Sequence, residues 1–310
     1  MAKLGEDIIG ASGLAPFFQV ANAGTVGIDA PAPRLGAAWR TWVRALSGFQ
    51  KEALVRSAGT GLTWRLVSDE GPYLNGHDAA PCPLAFLSAG MAASVLEEIL
   101  ALARIRGVEI GKLRLIQDNF YTMQGSMQRR TMVGGAENVA LTVEIDCSLS
   151  DAQLQDFLTD AVYAAPLSGL MRGRHESRFK LARNGAELPT AKVAELDGPI
   201  FPDPGDRFAA ALPQPGNLPL VEPVGPTPKK PVAKGTAAGG SSLSDEQDRR
   251  LNIGAIATLR DDRLKDIQQM QYSPWGTSFR FLSSEDGRAP DAGTLISAGI
   301  GFCFMTQFGR

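Results

Sequence analysis

Apolar and polar positions alternate along this chain in several distinct rhythms. The longest nearly uncharged run, Ala79 to Leu96, contains two prolines and is rich in Ala, Gly and Ser. It predicts a buried core helix over about 84–105 and suits a membrane span less well. Upstream, "ALVRSAGTGLTWRLVSDEG" predicts a β-hairpin turning at Ala58-Gly59-Thr60-Gly61. Extended segments are expected around 112–124 and 138–147. In the latter, Val139, Leu141, Val143, Ile145 and Cys147 alternate with polar or small residues, the period of a half-buried strand. Ser150 and Gln153 have capping-box spacing, and Leu154, Phe157, Leu158, Ala161, Val162 and Ala165 form one helical stripe that Pro166 ends. "ESRFKLARNGAEL" reads as a strand entering an Asn184-Gly185 turn. Two further helices are expected. One is short, on the spacing of Leu35, Trp39, Trp42, Val43 and Leu46. The other is charged, opening at a Ser244–Gln247 capping box and running to about Asp266.

Two blocks of sequence occur twice. "TWRLVSDE" (63–70) matches "SFRFLSSE" (278–285), and "FLSAGMAAS" (86–94) matches "LISAGIGFC" (295–303). Order, spacing and chemistry agree, which points to an internal duplication whose second copy lacks the later strands and second helix. Between the copies, residues 202–243 hold nine prolines and then "KGTAAGGSS", the composition of a linker, either disordered or laid across the surface. The expected organisation is an extension over 1–50, a first domain over 51–201, the linker over 202–243 and a partial second repeat over 244–310.

Composition narrows the class. With 310 residues, 44% hydrophobic and 21% charged, the chain is in the globular range. A net charge of −2 gives no global attraction to nucleic acid or an anionic membrane surface. Three cysteines, 82, 147 and 303, form no disulfide framework and fit a reducing compartment. Glu6 and Asp7 stand where an export signal carries positive charge, so a cytoplasmic location is expected.

The stretch Pro83 to Ser94 resembles the proline-led, Ala/Gly-rich reactive helix of the OsmC/Ohr family, the osmotically inducible and organic-hydroperoxide-resistance proteins. "YAAPLSG" (163–169) stands where that family has its second cysteine-proline pair. The resemblance implies an α+β fold with long buried helices against antiparallel sheets, and active sites at a dimer interface. For tandem copies it implies an internal pseudo-dimer or a homodimer. It implies no cofactor and no metal, and a small-molecule substrate or ligand. The departures fall on the chemistry: the family's two redox cysteines are Ser94 and Ala165 here, and the acid expected after the proline is Leu84. A serine cannot follow the thiol oxidation ladder. Only the second copy keeps a thiol, Cys303.

Cys303 therefore has two readings, a thiolate nucleophile near a helix start or a core cysteine between Phe302 and Phe304. Ser94 is either a nucleophile served by His77 and Asp78 or a small packing residue. Arg65 and Arg280, matched between copies, are candidates to assist the cysteine, or else surface charges. Phe120, Tyr121 and Met91 are candidate pocket residues. Arg129-Arg130 either bind an anionic group or solvate a hairpin end. His77, Cys82, Cys303 and His175 lack any short-spacing metal motif, and no coenzyme fingerprint is present. The expected function is that of an OsmC-like enzyme without the two-cysteine peroxidase pair, acting on a small apolar or thiol-containing molecule. The alternatives are a hydrophobic-ligand-binding module and a single-cysteine hydroperoxide reductase.

Overall fold

The computed structural model describes residues 3–32, 37–126, 129–173, 175–216, 218–225, 247–271 and 276–308. Of the described residues 29% are helical and 34% are in strands, a mixed α and β structure as expected.

Near the N-terminus come α1 (Ile8–Ala11), β1 (Phe17–Gln19) and α2 (Ala23–Val26), followed by β2 (Trp39–Ala45), β3 (Lys51–Ser57) and β4 (Thr63–Ser68). These strands form an antiparallel sheet in the order β1-β4-β3-β2. The turn between β3 and β4 falls where the sequence puts it. The helix expected around Trp39 is instead strand β2 (Leu35 lies outside the described residues). Trp39, Thr41 and Val43 alternate with Arg40, Trp42 and Arg44, and the first set faces a helix: Thr41 Oγ1 bonds Ser297 Oγ at 2.6 Å. On the other face Trp42 packs against a small core of Phe18, Val20, Leu54 and Phe208. Tertiary pairing with β3 outweighed the helical spacing.

The long helix α3 (Pro83–Arg106) ends at Gly107 in the left-handed conformation. Then come β5 (Ile110–Gly125), β6 (Val133–Ala136) and β7 (Ala140–Cys147). Helix α4 (Asp151–Ala164) carries the expected capping box at Ser150, and α5 (Pro166–Arg172) restarts at the proline. Short strands follow: β8 (Arg178–Phe179), β9 (Leu181–Arg183), β10 (Ala186–Leu188) and β11 (Ala194–Glu195). The β9–β10 turn holds Asn184 and Gly185 at positive φ, as a tight hairpin requires.

Part of the proline-rich segment is docked on the protein. Phe208 is buried in the small core. Asn22 Nδ2 donates to Ala210 O at 2.7 Å, and Gln214 N donates to Gln19 O. Strand β12 (Val221–Gly225) then joins the second sheet. Residues 226–246, including the Ser244 cap, lie outside the described residues.

The charged helix expected over 244–266 is replaced by two strands, β13 (Gln247–Leu259) and β14 (Lys265–Gln271), turning at Arg263 with positive φ. Leu251, Ile253, Ala255 and Ala257 are buried at every second position, a strand period that the flanking charges obscure. With β15 (Ser278–Ser283) they build a sheet ordered β12-β15-β14-β13-β5-β6, with β7 also on β5. Helix α6 (Ala292–Phe308) closes the chain.

Two helices lie between the two sheets. α3 packs on β13, β14 and β5, α6 packs on β2 and β3, and the helices pack on each other. Both are therefore apolar around most of their circumference, as a helix buried on both sides must be. Their approach is close. A Cβ at Gly90 would lie 2.6 Å from Ile296 Cγ1 and 2.8 Å from Ala292 O. One at Gly299 would lie 3.1 Å from Pro83 O and 3.2 Å from Leu87 Cγ. These contacts are reciprocal: with the two Ser-Ala-Gly segments aligned, Gly90 matches Gly299, Leu87 matches Ile296 and Pro83 matches Ala292. In the central core Phe17, Phe86, Phe281 and Phe302 stack at centroid distances of 5.1–5.9 Å.

Candidate functional site

A cavity of about 640 Å³ opens where α6 passes the start of α3. Its walls are Pro83 and Leu84 of α3, Cys303, Thr306 and Gln307 of α6, Tyr121 to Met123 of β5, and Leu251 and Ile253 of β13. Glu70 and Tyr73 line one part, and Arg130, Met132, Gly134 and Gly135 another. The size is that of a small-molecule pocket.

Cys303 is half-buried and lines this cavity. It lies in the second half of α6, so the start of its own helix is not what it meets. The helix start beside it is that of α3, since Pro83 and Leu84 share the cavity wall. An N-terminus carries partial positive charge and favours an anion nearby, a thiolate included. Cys82, the N-cap of α3, is buried; burial first, and then the Glu70 carboxylate, push its thiol up to about 12.

One wall is a buried ionic network. Lys51 Nζ sits 3.1 Å from Glu70 Oε1 and donates to Thr306 Oγ1 at 2.6 Å. Thr306 Oγ1 donates to the same carboxylate at 2.7 Å, and Tyr73 OH donates to its other oxygen. Lys51 and Glu70 are 2% and 3% exposed, so the charges stabilise each other in place of water. Thr306 lies one helical turn beyond Cys303, on the same face. Near Tyr121 is a second buried network, of uncharged groups. Ser88 Oγ donates to Ile253 O at 2.9 Å and accepts from Asn119 Nδ2 at 2.7 Å, while Gln117 Nε2 donates to Asn119 Oδ1. Burial holds the Tyr121 phenol above its ordinary range.

The corresponding place on the other side of the helix pair is built from the same parts but is more constricted: a smaller cavity of about 330 Å³ remains there, lined by Trp39, Glu285 and Asp291 among others. Lys265 Nζ lies 3.0 Å from Glu97 Oε2 and 2.9 Å from Glu285 Oε1. Lys265 opens β14 as Lys51 opens β3, and Glu97 stands three residues after Ser94 as Thr306 stands three after Cys303. Trp39 takes the position in β2 that Ile253 takes in β13: Trp39 pairs with Ser57 and Ile253 with Gln271, the last residues of β3 and β14. The indole occupies the space directly in front of α6. A Cβ at Gly293, the counterpart of Leu84, would lie 1.9 Å from Trp39 Cζ2, and Trp39 Nε1 donates to Asp291 Oδ1 at 3.0 Å.

The structure places the remaining candidates as follows. Tyr121 lines the cavity. Phe120, next in the strand, lies against the Arg250 guanidinium at 4.0 Å and does not line it. Met91 is half-buried and is not in the cavity wall. Arg65 is paired with Glu52 at 2.9 Å, and Arg280 with Asp266, so neither hairpin arginine reaches the thiol; alternation sends each away from the helix layer. His77 Nε2 is 3.0 Å from Gly5 O, and the Asp78 carboxylate accepts from Thr277 N and Oγ1. Burial raises the Asp78 pKa. No hydrogen bond among the described residues joins Ser94, His77 and Asp78 in a relay. His175 bonds Leu170 O. Among the described residues no group of three or more His, Cys, Asp or Glu is placed to hold a metal.

Sequence reasoning missed Lys51, Glu70, Tyr73 and Thr306. A signal existed: each matched block is preceded by a strand-opening lysine, with a similar spacing to its glutamate, 19 residues from Lys51 to Glu70 and 20 from Lys265 to Glu285.

The chain matches no protein-family model and no curated protein. Among solved structures it is similar to an OsmC-like hydroperoxide resistance protein from Jannaschia sp. CCS1. The identity is 18% and the TM-score 0.33, with 49% of this chain and 97% of that one covered.

Proposed function

We propose that this chain is an OsmC-like enzyme of two related halves, arranged as an internal pseudo-dimer with one open site and one narrowed site. The reciprocal glycine contacts of α3 and α6 and the paired lysine–glutamate networks support the duplication. The site with the larger cavity also keeps a thiol, and the site narrowed by Trp39 belongs with the half whose reactive position is Ser94. The open site acts on a small, largely apolar organic molecule through attack by Cys303 Sγ. The α3 N-terminus favours the thiolate, and the Lys51–Glu70–Thr306 network fixes the wall behind it. The observation that carries this reading is Cys303 in the wall of a 640 Å³, mostly apolar cavity.

One feature favours a binding module without catalysis. The acid and base nearest the thiol are engaged with each other, since Glu70 is satisfied by Lys51, Tyr73 and Thr306. A pair of haloacetamides, one with an octyl chain and one with a hydroxyethyl chain, separates the cases. The octyl reagent should label Cys303 preferentially, while half-buried Cys147 shows no such preference. Equal ratios at the two cysteines would remove Cys303 from a substrate site. Preferential labelling at a rate no greater than that of free cysteine would favour binding alone.

A further inference from the structure

Of the described residues lining the cavity, Glu70 and Arg130 are charged. Glu70 is neutralised by Lys51 and held by two hydroxyls. Arg130, exposed in the turn between β5 and β6, differs from three arginines on the strands of the second sheet. Arg114 pairs with Glu144, Arg250 with Glu137 and Arg280 with Asp266. Arg130 has no carboxylate or hydrogen-bond partner among the described residues. It sits at positive φ in the turn between β5 and β6, and that turn is tied back by Thr131 N to Ser126 O at 2.9 Å and Ser126 N to Thr131 Oγ1 at 3.0 Å. The cavity thus has apolar walls, a neutralised ion pair at the Lys51 side and, at the β5–β6 turn, an exposed guanidinium with no ion-pair partner among the described residues. Gly134 and Gly135 follow in the wall and add no side chain to fill the space beside it.

We infer that the cavity selects an amphipathic monoanion, a molecule with an apolar body and one carboxylate, with Arg130 binding the carboxylate and the apolar body directed along β5 and β13 toward Cys303. A guanidinium matches a carboxylate with two parallel N–H donors, which a neutral head group cannot reproduce. This deepens the proposed function and rests on the reading that the Cys303 cavity is the substrate site.

Calorimetric titration of the full chain with octanoate and with octanol tests it without requiring any reaction at Cys303. Wild type should bind octanoate about tenfold more tightly than octanol, the size of a charge-assisted hydrogen bond. Arg130→Gln should lose that preference while still binding octanol, and raised salt should weaken octanoate alone. Octanol binding as tightly as octanoate, or a preference that survives in Arg130→Gln, would overturn the inference. If octanoate binding fails while the octyl haloacetamide still selects Cys303, the assignment of Arg130 falls alone; if both fail, the cavity itself is not the site.

Discussion

Replacing Lys51 by methionine would test whether the buried network is a matched set. The substitution keeps the length and removes the ammonium. Glu70, 3% exposed, would retain only the Tyr73 and Thr306 hydroxyls. Stranding one member of a buried ion pair costs about 3–5 kcal/mol. Lys51 reaches both Glu70 and Thr306, and both of these also line the cavity, so the cost should fall within that range rather than above it. The second network provides the scale: around Lys265 the acid side chains of Glu97 and Glu285 are 27% and 43% exposed, so water replaces much of the lost ammonium. Lys265→Met should therefore cost only about 1–2 kcal/mol. Urea unfolding followed by circular dichroism measures both. The double variant Lys51→Met/Glu70→Gln should recover most of the loss, because it removes the stranded charge. A Lys51→Met cost below about 1 kcal/mol, or a double variant no more stable than the single one, would refute the reasoning.

Three other outcomes follow from the same geometry. Gly293→Ala should destabilise the protein because its Cβ falls inside the Trp39 ring. In a Trp39→Ala background, itself about 3–5 kcal/mol less stable, the same change should be nearly neutral; a double-mutant cycle in urea reads the coupling. Ile253→Trp places at the open site the residue that narrows the other one, so octanol binding should disappear from calorimetric titration while far-ultraviolet dichroism stays native. Cys82, its thiol pushed up to about 12 by burial, has roughly one thiolate in ten thousand at pH 8 and becomes reactive only as the pH rises toward that value. Mass-mapped alkylation of the folded protein should leave it unlabelled at pH 8, and labelling of Cys82 ahead of Cys147 would contradict its burial.

Much of the fold was legible where one periodicity dominated. The α3 run, the β3–β4 hairpin, the Ser150 capping box and the Asn184-Gly185 turn each rest on local rules and appear where those rules put them. At Trp39 to Ala45 and Gln247 to Leu259 the local pattern points to helix and the structure is strand, for one reason. Each is a strand whose apolar residues also fit helical spacing or sit among charges, and each is decided by partners distant in sequence: β3 for one, β5 and β14 for the other. The cavity was only partly legible. Cys303 and Tyr121 could be named from segment matching and broken alternation. Lys51 and Glu70 left a trace in the matched blocks, but their meeting with Thr306 could not be read, because they come from a strand start, a loop and a helix that meet only when α6 crosses the start of α3. The hairpin arginines were expected at the thiol, yet alternation along β4 and β15 turns them to the outer faces, where Glu52 and Asp266 hold them.

The central claim is that Cys303 is the reactive group of the open site. The most direct measurement is the rate of iodoacetamide alkylation at each cysteine of the folded chain at pH 7, compared with a free cysteine peptide. The account predicts that Cys303 reacts faster than the peptide, that Cys82 stays unmodified, and that Ile253→Trp slows Cys303 by filling the space in front of it. A Cys303 that reacts no faster than the peptide, in wild type and Ile253→Trp alike, would contradict it.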